Sequence, residues 1–196
     1  MEEPLSGRCD SFVVETDVHF PTDINLLFDG TRKTIDTCVK LAHRYGLTGW
    51  RQHRYHQAQL KKQYRRVQKL KHSTSKDPAK RQQKAEAIAA AHRTYVRMAR
   101  AHLERAECSR PAVGLTPETE PLLRDLDHYM GHARHQIDLI ERRVLQGERI
   151  PHEEKIFSIF EPHTEWISKG KAGVPVELGL RVNVVEDEHR FILHHQ

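Results

Sequence analysis

The sequence predicts a mixed α+β protein, with strands at both chain ends and a large all-helical segment between them. Three observations carry this. Runs rich in β-branched and aromatic residues with strand character occur only near the two ends. Apolar residues spaced by three and four recur through the middle. The central stretches open on residues suited to capping a helix and are separated by glycine, proline and serine.

The first strand is expected over residues 10–18, Asp-Ser-Phe-Val-Val-Glu-Thr-Asp-Val, and Pro21 closes it. Thr22 then caps a helix starting at Asp23, whose apolar face is Ile24, Leu27, Phe28, Ile35, Val39, Leu41 or Ala42, and Tyr45. Gly46 is its C-terminal cap. A second helix is expected over about 50–72, with Trp50, Tyr55, Leu60, Tyr64, Val67 and Leu70 interleaved among basic residues. After the turn at 73–78, Asp77 caps a third helix with Pro78 as its first residue. That helix runs to about Cys108, with Ile88, Tyr95, Val96 and Leu103 on one side. A fourth starts at Thr116 and Pro117 and carries the stripe Leu122, Leu126, Met130, Ala133, Ile137, Ile140 and Val144, ending at Gly147. Such stripes are core packing, and the four helices read as one antiparallel unit.

Beyond Pro151 the period changes. Residues 156–160, Ile-Phe-Ser-Ile-Phe, read as a strand, and so do residues 174–185. Glu186, Asp187 and Glu188 make a polar turn, and residues 190–194 form the hairpin partner. The expected organisation is a first strand in 1–21, a helical insertion in 22–150 and further strands in 151–196. The end segments should meet in one mixed or antiparallel sheet, because isolated hairpins are rarely stable.

The chain has 196 residues, enough for one domain with a core or for a domain carrying a large insertion. Its three cysteines, Cys9, Cys38 and Cys108, form no CxxC pair and no closed disulfide framework, so a reducing cytoplasm is the expected compartment. No apolar run approaches the roughly 20 residues of a membrane span, and the acidic N-terminus lacks a signal-like apolar core.

Charge is unevenly placed. Between Arg51 and Lys84 there are twelve Lys or Arg against one acid, Asp77, a surplus of +11 where the whole chain carries +5. The remainder is therefore net acidic. A single-sign run this dense points to a polyanion, nucleic acid first; it also reads as a solvated basic helix that contacts nothing. Lys61, Arg65 and Lys69 fall on one helical face, and Lys62 and Arg66 widen it. With Arg51, Arg54 and Lys71 they are the candidate phosphate contacts, which position DNA without reading its sequence. Lys169 and Lys171, in a glycine-containing loop between strands, are secondary candidates.

Phosphate-loop, dinucleotide-binding, HExxH and GxSxG signatures are absent. His53 with His56, and His132 with His135, have helical metal-ligand spacing, but no carboxylate or Cys completes either set. Asp10 opens an apolar strand. It reads as a solvated flank or as one carboxylate of a Mg²⁺ site for phosphoryl transfer.

Two blocks resemble a known family. Residues 10–23, Asp-Ser-Phe-Val-Val-Glu-Thr-Asp-Val-His-Phe-Pro-Thr-Asp, with Leu26-Leu27 and Asp29-Gly30 after them, resemble a stretch in DDE transposases of bacterial insertion sequences, most closely the group called ISNCY. There the pattern is roughly Asp-Thr/Ser-Thr-Val-Val-Glu-Thr-Asn-Ile-His-Tyr-Pro-Thr-Asp. Residues 159–173, Ile-Phe-Glu-Pro-His-Thr-Glu-Trp-Ile-Ser-Lys-Gly-Lys-Ala-Gly, and the stretch Val176-Glu-Leu-Gly179 look like a second block of that group. Asp17 replaces an Asn frequent in the pattern, and Phe12 stands where Thr is usual.

The resemblance implies an RNase H-like sheet and a DNA transposase. It would cleave phosphodiesters and transfer strands with two Mg²⁺ or Mn²⁺ ions held about 4 Å apart by three carboxylates. It maps the first acid, as catalytic and metal-binding residue, onto Asp10. The second Asp and the Glu are expected after the final hairpin, and a DNA-binding region before the first acid, so a truncated and inactive piece is expected. Asp187 reads as a hairpin-turn residue and not as the second acid. The implied partner is double-stranded DNA at transposon ends, bound by an oligomer in the bacterial cytoplasm. His163 and Glu165 lie in the second block with no role assigned by chemistry. The competing reading is a helical DNA-binding or scaffold protein without catalysis; a small-molecule enzyme built on the scattered histidines has little to carry it.

Overall fold

The computed structural model of the chain describes residues 7–168, 173 and 175–195. Over these residues the protein is mixed α+β, with four long helices and a four-stranded antiparallel sheet. It divides into two compact units. One comprises Met1–Pro21 with Ile156–Gln196, the other Thr22–Lys155.

The sheet unit contains β1 (Gly7–Glu15), β2 (Glu165–Ser168), β3 (Val176–Asp187) and β4 (Ile192–His195). β1 pairs along its whole length with β3, from Gly7 opposite Asp187 to Glu15 opposite Gly179. β2 and β4 pair with the other edge of β3, one towards each end, and a bulge at Val185/Glu186 interrupts the β3–β4 ladder. Because side chains alternate across a strand, Phe12, Val14 and Leu180 share one face, and all three are exposed.

The first strand is Gly7–Glu15, three residues earlier than the expected 10–18, and two further strand expectations need correction. Residues 156–160 are not a strand, because Ser158 makes a turn there: its Oγ accepts from the N–H groups of Phe160 at 3.1 Å and Glu161 at 3.0 Å. Local side-chain bonding of this kind competes with a ladder. The strand lies later, at Glu165–Ser168. The hairpin turn is also displaced. Asp187 ends β3, and its Oδ1 accepts from the N–H groups of His189 at 2.9 Å and Phe191 at 2.8 Å. Asp187 is thus a turn-closing residue.

In the helical unit, α1 (Asp23–Tyr45) is capped by Thr22, whose hydroxyl accepts from the Asn25 N–H at 3.3 Å, and closed by Gly46 at φ 68°. α3 (Pro78–Ser109) is capped by Asp77, which accepts from the Ala79 N–H at 2.9 Å. α2 (His53–Lys69) is shorter than the sequence suggests. Trp50 ends a separate 3₁₀ turn, where it is buried and its indole N–H donates to Ser109 Oγ at 3.0 Å. α4 (Glu120–Ile140) starts three residues late, because Thr116 and Thr119 hold a turn of their own. Thr119 Oγ1 accepts from the Thr116 N–H at 2.8 Å and donates to the Gly114 carbonyl at 2.7 Å. A π-turn, Glu141–Leu145, follows α4.

The core of this unit is Leu27, Ile35, Leu41, Leu60, Tyr95, Leu126 and Ile140 with their neighbours, and the Tyr95 hydroxyl donates to the Ile24 carbonyl at 3.0 Å. Leu26 and Cys38 hold buried places that the sequence reading left out, whereas Tyr45 and Tyr55 are exposed. Burial pushes the Cys38 thiol up to about 12. No helix among the described residues is long and apolar enough to cross a membrane.

Candidate nucleic-acid interface

α2 is anchored by its inner face. Leu60 and Val67 are buried, and the Tyr64 ring stacks on Phe28 of α1 with centroids 4.8 Å apart. The Tyr64 hydroxyl donates to Asn25 Oδ1 at 2.9 Å, and the Gln57 amide donates to Asp36 Oδ1 at 2.5 Å. These bonds fix the rotation of α2 about its own axis, and so decide which side chains face water.

The outward face is cationic. Arg54, Lys61, Lys62, Arg65, Arg66 and Lys69 are all exposed on α2, and Arg51 before it and Lys71 after it are exposed as well. With 3.6 residues per turn, positions 54, 58, 61, 62, 65, 66 and 69 lie opposite Leu60 and Val67. At 1.5 Å per residue the 17 residues of α2 extend this surface over about 25 Å. Among the described residues, none of the eight basic side chains has a carboxylate within 4.0 Å. Elsewhere in the unit arginines are paired. Arg110 bonds Asp127, Arg100 bonds Glu141, and Arg142 gathers Asp138, Glu148 and Glu154. The field of α2 is therefore not locally neutralised. Lys61, Lys62, Arg65, Arg66 and Lys69 also line an open hollow together with Ala58 and Gln63. Lys169 and Lys171 lie outside the described residues.

Asp10 lies within β1, opposite Val184, with its side chain 67% exposed. Its nearest charged partner is Arg8, two residues back on the same face, at 3.5 Å; Arg8 also reaches Glu186 at 3.4 Å. Asp10 and Glu186 thus flank one guanidinium. The Arg8–Asp10 neighbourhood follows from strand alternation, but Glu186 joins them only through the β1–β3 register. Among the described residues no three His, Cys, Asp or Glu side chains are grouped to hold a metal ion.

The histidines of the two helical pairs make other contacts. The His53 ring donates to the Trp50 carbonyl at 3.2 Å, and His135 donates to the Glu154 carbonyl at 2.7 Å. His56 accepts from Arg105 at 3.0 Å and lies edge-on to His102, with ring centroids 5.4 Å apart. Burial, with His56 and Arg105 adding to it, pulls His102 down to about 4. Burial also lowers His132, and His128 and His135 lower it further.

Sequence reasoning placed Tyr55 among the apolar positions of α2. It is 61% exposed and sits within the cationic surface. The angular position of residue 55, close to that of Lys62 and Lys69, was the signal that could have shown this.

Comparison of the chain with protein-family models, curated proteins and solved structures found no match.

Proposed function

We propose that this chain binds DNA through the outward face of α2, gripping the phosphate backbone without reading sequence, as the DNA-holding part of a protein of the insertion-sequence transposase type. The observation that carries this is the row of exposed Lys and Arg side chains on one helical face with no carboxylate partner among the described residues. Packing this many like charges on one face costs free energy through self-repulsion, and a polyanion relieves it while releasing its counterions.

The transposase part of the proposal rests on the two sequence blocks and on Asp10 lying on an extended strand of the sheet unit. The described residues do not fit a two-metal centre. Mg²⁺ takes hard oxygen ligands and gives up its waters reluctantly. Asp10 offers one exposed carboxylate already beside a guanidinium, and Glu186 on the same face is held by that same guanidinium. The function proposed for the chain is therefore DNA binding.

The test is the affinity of the purified chain for a generic duplex and for unrelated duplexes over a range of salt. The proposal expects similar affinities for all of them, falling steeply with salt. Absent binding, or affinity indifferent to salt, would overturn it.

A further inference from the structure

Tyr55 is the one large aromatic side chain on the cationic surface of α2. The residue is 61% exposed, and no hydrogen bond from its hydroxyl is made among the described residues. Burial therefore does not account for an aromatic residue at this position. The ring is nevertheless held. It lies edge-on to the His56 ring with centroids 5.8 Å apart, and His56 is itself fixed by the hydrogen bond from Arg105 at 3.0 Å. A base stacking on it would meet a ring already oriented, and so would lose little ordering entropy.

The neighbours are suited to a nucleotide. On a helical projection Lys62 lies within about 20° of Tyr55, two turns after it, and Arg51, just before the helix, lines the same hollow as Tyr55. Ala58 falls between Tyr55 and Lys62, and its small side chain leaves the space beside the ring open. One open hollow is lined by Arg51, Arg54 and Tyr55, and a second, further along α2, by Ala58, Lys61 and Lys62 among others. Cations spaced along a backbone path with an aromatic face between them are the pattern by which proteins hold single strands. In an intact duplex the bases are already stacked on one another, and the ring would have no free base face to meet.

We propose that Tyr55 is a stacking platform for an unpaired DNA base, with the flanking phosphates held by Arg51 and Lys62. This rests on the reading of α2 as a DNA-binding face, and it adds a substrate class: single strands, or duplex ends with an unpaired base.

The test compares the native chain, Tyr55→Ala and Tyr55→Phe on an oligothymidylate of about 16 nucleotides, the upper site size of such modules, and on a blunt duplex. Expected is a loss of single-strand affinity of about 5- to 150-fold in Tyr55→Ala, the range carried by one stacked base. Tyr55→Phe should keep native affinity, and duplex affinity should change less than about twofold in either variant. Equal losses on both substrates, or no loss on either, would overturn the stacking proposal and leave the cationic face standing. Absence of salt-dependent binding to both DNAs by the native chain would overturn both readings.

Discussion

Gly30 of α1 packs tightly against α4, and replacing it tests the packing that supports the basic helix. A Cβ added there would lie 3.2 Å from the Ala133 Cβ, 3.3 Å from the Ala133 backbone nitrogen and 3.3 Å from the Tyr129 carbonyl oxygen. Two of these three atoms are backbone, so the contact is relieved only by moving a whole helix. In an open helix interior, Ala for Gly gains about 1 kcal/mol, whereas overpacking a tight contact costs about 1–3 kcal/mol. Gly30→Ala should therefore destabilise by about 1 kcal/mol net. Gly131, on the exposed side of α4, supplies the control, since nothing lies within 4 Å of a Cβ added there. Gly131→Ala should stabilise by up to about 1 kcal/mol. At about 2–4 °C per kcal/mol for a chain of this size, the two variants should melt roughly 4–8 °C apart. Thermal and urea unfolding followed by circular dichroism measure the difference. A Gly30→Ala protein as stable as Gly131→Ala would refute the close α1–α4 contact.

Three further outcomes follow from the same structure. The folded state holds His102 at about 4, below an unfolded value near 6.5, so the unfolded chain binds the extra proton first. The stability this protects is whole above about pH 6.5 and is lost as pH falls towards 4; His102→Gln should flatten urea midpoints across that window, and an unchanged pH dependence would argue against a buried neutral His102. Cys9 and Cys108 are exposed while Cys38 is buried with its thiol pushed up to about 12. A thiol reagent should therefore label two cysteines fast in the native protein and the third only on unfolding; rapid labelling of all three would contradict the core placement of Cys38. With Mg²⁺ or Mn²⁺ the purified chain should neither nick nor join DNA, and Asp10→Asn should leave its DNA affinity unchanged. Asp10-dependent nicking would overturn the account of that residue.

The helical unit was largely legible because its signals are local. Thr22 and Gly46 bound α1, and Asp77-Pro78 opens α3, each through chemistry confined to neighbouring residues. The start of α4 was misjudged because Thr116 and Thr119 bond each other and leave neither hydroxyl to cap the helix. The apolar run at 156–160 was misleading because Ser158 turns the backbone there, and β2 is too short and polar to announce itself. Strands at the two chain ends could be expected, but their register could not. That register is what puts Glu186 and Arg8 beside Asp10. The cationic surface of α2 was readable from helical spacing, and the same spacing sets Tyr55 on that surface, away from Leu60 and Val67; the Tyr64 and Gln57 anchors hold the helix in that rotation.

The claim that α2 holds DNA phosphates is tested most directly by the slope of log affinity against log salt for a generic duplex. Each phosphate contact contributes about −0.9 to that slope. The Lys61→Ala, Arg65→Ala, Lys69→Ala triple variant, checked as folded by circular dichroism, should lose three contacts and about 2.7 of the slope's magnitude. Asp125→Asn on the exposed face of α4 should leave the slope near the native value. A triple variant with the native slope would contradict the account and leave the basic face of α2 as solvated surface.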